Sequence, residues 1–266
     1  MSRIERVFQH KRSTAFIGFT VAGDPDKDRS VRIAKALIDG GTDILELGVP
    51  FSDPVADGQT IQKADERALA AGTTPDTVFL IVRELRAYSD VPIVFLTYYN
   101  IVYRRGIEQF YREAHDAGVD GILIADMPVE ESDEMVDIAT RYGIDPIFLV
   151  TQTTSDERMA AIVHRARGYL YLVSVLGVTG ARERVSDEAL TLLHRVRRRT
   201  TLPLALGFGI STPEHVKTCA DAGADGVIVG SAIVSIVEKN LGDIPLMERE
   251  LRQYVERMKA AGTRAR

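Results

Sequence analysis

Continuous apolar runs alternate along this chain with segments whose apolar positions recur at helical spacing. One phrase returns with variations: DGGTDILELG at 39–48, DAGVDGILIA at 116–125, RYGIDPIFLV at 141–150 and DAGADGVIVG at 221–230. Each reads as a helix end, a glycine cap, a short turn and a buried strand. Two more strands follow prolines, VPIVFLT at 91–97 and LPLALGFG at 202–209, while TAFIGFT at 14–20 and YLYLVS at 169–174 bring the count to eight. Between them RSVRIAKALIDG (29–40), PDTVFLIVRELRAY (75–88) and SDERMAAIVHRARG (155–168) are amphipathic at helical period. Strands that are apolar throughout and separated by helices predict a parallel sheet covered on its outside. An open doubly wound sheet gives the same local signals. Eight units in a single composition regime favour a closed ring, so the expected fold is α/β, a (β/α)8 TIM barrel forming one domain over residues 1–266. Extra helical pieces are expected before the first strand (IERVFQHKR) and in the second and eighth units.

Composition narrows the classes. The 266 residues are 45% hydrophobic and carry a formal charge of −5 with both signs interleaved, so the basic face that nucleic acid demands is missing. The apolar stretch GVIVGSAIVSIV is too short and glycine-broken to span a bilayer. A lone cysteine, Cys219, rules out an intrachain disulfide framework, and MSRIERVFQHKRS lacks the apolar core of a signal peptide. The expectation is a reduced, cytoplasmic protein with neither nucleic-acid nor membrane partners.

In a parallel barrel the reactive groups sit at strand C-terminal ends and in the loops beyond them. LELGVPFSDPVADG (45–58) starts as a buried strand and breaks into a proline-punctuated loop, with Glu46 in the apolar run and Asp57 past it. Ile44, Glu46 and Gly48 share one strand face, and only the barrel interior gives a glutamate access to a ligand, so Glu46 should point inward. Burial should lift its pKa toward neutrality, while Asp57 in a polar loop should stay ionised. Competing readings remain: a structural Glu46 satisfied by backbone or a tyrosine, a loop-capping Asp57, and an Asx turn at Asp53 before Pro54.

The loops after the last strands, GFGIS (207–211) and GSA (230–232), together with GVTG (177–180), let main-chain N–H groups approach an anion, and helix starts at Thr212 and Ser231 would offer free donors. The charged segment ARERVSDEAL (181–190) reads as a lid or as a helix entry with Ser186 as N-cap. Phe19, Leu96, Tyr98, Tyr99, Leu123, Ile147 and Phe208 are candidates to line an apolar pocket. No lysine falls at a strand terminus, and His10, His115, His164, His194 and His215 fall on helices or the leading segment, where surface positions are expected. Ser52 and Ser231 have no histidine placed to activate them. Schiff-base, zinc and serine-nucleophile chemistry are disfavoured, leaving carboxylates and tyrosines.

LELGVPFSDPVADG, with FIGFTVAGDPD, TYYNIVYRRGIEQF, GILIADMPVEES, YLYLVSVLGVTGAR, GFGIS and GSAIV, resembles the tryptophan synthase alpha chain family over nearly the whole chain. The resemblance implies a barrel that cleaves indole-3-glycerol phosphate to indole and glyceraldehyde 3-phosphate, without a cofactor of its own. Its implied partner is a pyridoxal-phosphate-dependent beta chain in an alpha2 beta2 heterotetramer. It matches Glu46 to the proton-transferring glutamate, Asp57 to the catalytic aspartate and Tyr171 to the active-site tyrosine. It further matches Phe19, Leu96, Leu123 and Phe208 to the indole pocket, Gly180, Gly209, Gly230 and Ser231 to phosphate-binding main chain, and Thr179 to the lid threonine. Gln59 stands where the family has proline, and Val175–Leu176 where it has Arg-Ala, both in loops tied to closure and partner contact. A stand-alone lyase and a mainly regulatory binding subunit are the alternatives.

Overall fold

A computed structural model describes residues 1–9, 13–173, 185–207 and 209–263 of the chain. Eight parallel strands pair in sequence order and close on themselves, β1 (Ala15–Val21), β2 (Ile44–Gly48), β3 (Ile93–Thr97), β4 (Gly121–Ile124), β5 (Asp145–Thr151), β6 (Leu170–Val173), β7 (Leu204–Gly207) and β8 (Gly226–Val229). Before β1 lies α1 (Arg3–Gln9), and β1 leads to α2 (Lys27–Asp39). After β2 come α3 (Gln59–Ala70) and α4 (Pro75–Tyr88), and after β3 α5 (Tyr99–Arg105) and α6 (Ile107–Ala117). The remaining units carry α7 (Asp133–Arg141), α8 (Asp156–Arg165), α9 (Asp187–Arg197), α10 (Pro213–Asp221), α11 (Ser231–Lys239) and α12 (Ile244–Ala261). The expected eight strands and the extra helices before β1 and in the second and eighth units are all found. The third unit carries one helix more than expected, because the glycine at 106 divides what reads as one polar stretch into α5 and α6.

Local signals explain the boundaries. Thr74 caps α4 in a reciprocal capping box with Thr77, and Pro75 occupies the first turn, where its missing N–H costs nothing. In the recurring phrase the turn glycine takes the left-handed backbone that side chains resist, as at Gly118 (φ 99°) and Gly223 (φ 90°). In the first copy this residue is Gly41 (φ 98°) rather than Gly40.

Strand alternation divides the core. Leu45, Leu47, Ile93, Phe95, Leu170, Leu172 and Val227 face outward into the layer under the helices. Ile17, Ile44, Val94, Leu123, Ile147, Tyr169, Tyr171, Ala205 and Ile228 fill the interior. The lower end is plugged by α1, whose Ile4 and Phe8 join that interior cluster, with the Phe8 and Tyr169 rings 5.9 Å apart.

Three of the four aspartates at strand starts in the recurring phrase have a common use at this lower end. Asp43 accepts from Phe16 N at 2.8 Å and from Lys259 at 2.6 Å, and Asp120 from Ile93 N at 2.9 Å, Arg86 at 2.8 Å and Arg3 at 3.0 Å. Asp225 accepts from Leu204 N and pairs with Arg197. Each of the three thus ties the start of a neighbouring strand to a cation from an outer helix or α1.

Candidate active site

Glu46 belongs to the inward face of β2, in register with Phe19 of β1 and Val94 of β3. Its side chain is fully buried, and among the described residues neither carboxylate oxygen has a hydrogen-bond partner. A satisfied structural carboxylate is therefore not what β2 carries. Desolvation pushes its pKa up to about 8, and the charge of Asp57 adds to the shift. Tyr171 of β6 and Tyr169 just ahead of that strand join the same interior cluster, and both phenols are raised well above their ordinary value by burial and then by Glu46. Gly207 makes room for Tyr171, since a Cβ there would lie 2.3 Å from the ring.

Asp57 does not sit freely solvated, as its polar loop suggested. It is half-buried, and burial raises its pKa while the hydrogen bond from Tyr98 opposes the rise. That bond runs from the phenol at the end of β3 to Asp57 Oδ2 at 2.6 Å, and the same phenol oxygen accepts from Ala56 N at 3.2 Å. The Tyr98 ring stacks on Phe51 at 5.1 Å, so one side chain fixes the loop at three places. The sequence offered Tyr98 only as a pocket candidate, because a tyrosine after a strand carries no sign of what its hydroxyl will meet. Asp53 remains exposed and bonds to its neighbour Ser52.

Phe19 packs with Leu96 and with Ile61, Ala64 and Ala68 of α3 at the mouth, flanked by Gly48 and Gly230, whose absent side chains leave space for the ring. Leu123 lies deeper, fully buried in the interior layer with Tyr171. These residues converge on one end of the barrel with Glu46 and the loop of Asp57.

Across that end, Gly209 follows β7 with φ 78° and open space beside its Cα, and Ser231 begins α11 behind Gly230. Its N-cap, Gly230, has no side chain to bond the first turn, which among the described residues leaves those amides available to an anion. The start of α10 differs from expectation: Thr212 caps it, accepting from His215 N at 3.3 Å. His215 also departs from its expected surface position. It is buried, and its Nδ1 accepts from Ser211 N at 3.3 Å while Tyr254 of α12 donates to Ser211 O at 2.9 Å, bracing the loop after Gly209. Three of the expected site residues, Thr179, Gly180 and Phe208, lie outside the described residues, as do Val175–Leu176 and the 181–184 part of the charged segment. At the end of that segment Ser186 caps α9, as a helix entry would require.

Among the described residues no group of three His, Cys, Asp or Glu side chains could hold a metal ion, and no helix is long and apolar enough to cross a membrane. What the mouth offers is a neutral, buried acid, a tethered carboxylate, an apolar slot and an uncapped helix start.

The profile of the family described as "Tryptophan synthase alpha chain" matches residues 6–263. A relative carrying that name from Methanoregula boonei is 76% identical over 261 residues, covering 98% of each chain. Another from Methanothermobacter thermautotrophicus is 49% identical over 96% of this chain and 95% of its own length. Among solved structures, a chain of Mycobacterium tuberculosis tryptophan synthase superposes with a TM-score of 0.90 at 34% identity, covering 99% of both chains. A chain of the tryptophan synthase a2b2 complex of Pyrococcus furiosus does so at 0.86 and 43% identity, covering 92% of this chain and 98% of that one. With the profile and the relatives both spanning nearly its whole length, the chain belongs to the tryptophan synthase alpha chain family.

Proposed function

We propose that this protein is the lyase subunit of a tryptophan synthase, cleaving indole-3-glycerol phosphate to indole and glyceraldehyde 3-phosphate. The observation that carries the reading is Glu46, a buried carboxyl with neither oxygen bonded, next to the charge of Asp57 at the barrel mouth. A carboxyl raised to about 8 holds its proton at neutral pH and can deliver it. Glu46 protonates indole C3, and the ring becomes a cationic indolenine. Asp57 accepts from the ring N1–H and stabilises that cation. The Glu46 carboxylate then takes the proton of the glycerol hydroxyl next to C3. As the hydroxyl becomes a carbonyl, the carbon–carbon bond breaks and its electron pair returns to the ring. Indole and the aldehyde leave, and Glu46 is protonated again.

In this reading Phe19, Leu96, Leu123 and Phe208 hold the indole, and Tyr171 borders it. Main-chain donors at Gly180, Gly209, Gly230 and Ser231 hold the phosphate, and Thr179 meets Asp57 on closure. The protonated ring itself serves as electron sink, so the chain needs no cofactor, and pyridoxal phosphate is assigned to the partner beta chain. Cytoplasmic residence follows from a biosynthetic role. The partnership, an alpha2 beta2 assembly, is supported by the family and by a cleft of mixed apolar and basic lining beside the loop of Asp57. This cleft of about 380 Å³ is lined by Pro50, Phe51, Leu69, Pro75 and Ile101 together with Ser52, Asn100, Arg104 and Arg105.

The test measures indole release from indole-3-glycerol phosphate by the full chain, alone and with its beta chain. Release that the beta chain stimulates supports the reading. Full turnover alone would make it a stand-alone lyase, and none in either state a regulatory subunit. Glu46→Gln should keep binding an indole-3-alkyl phosphate lacking the glycerol hydroxyls, while losing about two to four orders of magnitude in cleavage.

A further inference from the structure

His215 is 3% exposed in the first turn of α10, and the reaction above gives it no part. Its own amide is taken by the helix cap, Thr212 Oγ1. Its ring reaches back to the loop ahead of the helix, where Nδ1 accepts from Ser211 N at 3.3 Å. From α12 the buried Tyr254 donates its phenol to Ser211 O at 2.9 Å. Both main-chain groups of Ser211 are thus bound by buried side chains, one from each of two helices.

The two residues before it are built the other way. Among the described residues the amides of Gly209 and Ile210 have no hydrogen-bond partner. Successive free amides are what a loop offers an anion. Gly209, at φ 78° with open space beside its Cα, is also the residue least able to hold such amides in place, because a glycine changes conformation at little cost. The chain must then be held on both sides of it. On one side β7 fixes it as far as Gly207. On the other the holds are the Ile210 side chain, buried in the layer under the helices, and the two bonds to Ser211.

We propose that His215 is a positioning residue for the substrate phosphate: by accepting from Ser211 N it fixes the turn from Gly209 into α10, and with it the free amides of Gly209 and Ile210 that meet the anion. The proposal rests on the phosphate role given to Gly209 above. His215 acts through the main chain and needs no contact with the substrate. A ring nitrogen that accepts carries no proton, so the hydrogen of the neutral ring is on Nε2.

The experiment compares wild type, H215N and H215F, each as the full chain assembled with its beta chain, at pH 8. Asparagine Oδ1 and histidine Nδ1 are both bonded to Cγ, so H215N keeps an acceptor in place and loses most of the ring, whereas H215F keeps a ring and loses the acceptor. H215F should raise KM for indole-3-glycerol phosphate about fivefold with kcat changed less than about twofold, because an anion contact shared by ground and transition states is uniform binding. H215N should stay within about twofold of wild type in both constants. A role in packing alone predicts the reverse order. Calorimetric titration with the indole-3-alkyl phosphate should rank the three proteins in the same way without turnover. Nitrogen NMR of the wild-type ring should show Nδ1 without a proton, a readout that needs no variant to fold. An unchanged KM in H215F, H215N at least as impaired as H215F, or a proton on Nδ1 of wild type would each overturn this proposal alone. If Gly209→Ala bound the indole-3-alkyl phosphate as tightly as wild type, the phosphate would not be held at this loop, and the reading of Gly209 would fall together with the proposal.

Discussion

Asp120 and Glu46 sit at opposite ends of the same barrel, and the chain treats the two carboxylates in opposite ways. At the lower end Asp120 accepts from a strand amide and from two arginines, with Asp43 and Asp225 in equivalent arrangements one or more strands away. At the mouth, among the described residues, Glu46 has no partner for either oxygen, and Asp65 on the buried face of α3 none for one. The lower end spends carboxylates to hold the ring shut, while the mouth leaves Glu46 unsatisfied and holds Asp57 through a phenol from another strand. This is the division of stability and chemistry that a parallel barrel permits, because its two ends share strands but not loops.

The sharpest way to break that comparison is Glu46→Gln. Turnover should fall by about two to four orders of magnitude while the folded state gains stability, on the order of 1–3 kcal/mol at pH 8. The sign follows from linkage. Unfolded Glu46 loses its proton near 4.5, whereas the folded group holds it to about 8. Between those values the folded state binds the extra proton, so wild type loses stability as pH rises through the window, by up to ~1.4 kcal/mol per unit from this group. The burial of an unpaired amide in the variant takes back part of the gain. Urea unfolding of both proteins at pH 5 and pH 8 measures it. An equal stability difference at the two pH values would mean that Glu46 is not the strained group.

Asp120→Ala probes the other end. Removing it leaves Arg86 without its carboxylate partner and the Ile93 amide without its acceptor, for a loss of about 3 kcal/mol of folding stability. The folded fraction should turn over within about twofold of wild type. A large drop in kcat at full folding would show that the ends are coupled, contrary to the comparison.

The two ends also differ in how much of them the sequence disclosed. The ring of strands was legible because apolar runs and the recurring glycine turn are local signals. The inward face of Glu46 was legible from alternation alone. Partnerships were not. Nothing near Asp57 in sequence announces that Tyr98, from another strand, will hold it, and so its polar loop read as solvated. Asp65 reads as an ordinary helix carboxylate unless its spacing from Ile61, Ala64 and Ala68 is weighed, which places it on the buried face. His215 reads as a surface residue because it falls on a predicted helix, whereas its position beside Val216 and Cys219 in α10 turns it inward. Burial of a polar group is decided by what packs over it, and that information lies elsewhere in the chain.

Tyr98→Phe sharpens the account of the mouth. The ring keeps its stack on Phe51, but Asp57 loses a 2.6 Å donor that favours its anion. The Asp57 pKa, already raised by burial, should rise further, moving the acid limb of kcat toward neutral pH. A loss of about tenfold in kcat is expected, corresponding to ~1.4 kcal/mol on the barrier. An unshifted acid limb would mean that the bond organises the loop without tuning the carboxylate.

The smallest effect is expected at the phosphate side, where main chain rather than side chain is proposed to do the binding. Gly209→Ala places a methyl where none of the described residues lies within 4 Å, so their packing does not oppose it. The backbone does, since φ of 78° disfavours a side chain by roughly 1–2 kcal/mol. The loop should relax and its amides swing from the anion, raising KM several-fold with kcat close to wild type, because phosphate contacts are the same in ground and transition states. Gly230→Ala is a poorer probe, since its Cβ would lie 3.0 Å from the Phe19 ring and disturb the apolar slot with the anion site. If Gly209→Ala lowered kcat and left KM unchanged, the loop after β7 would belong with Glu46 and Asp57 in the chemistry. The mouth would then have no separate binding half.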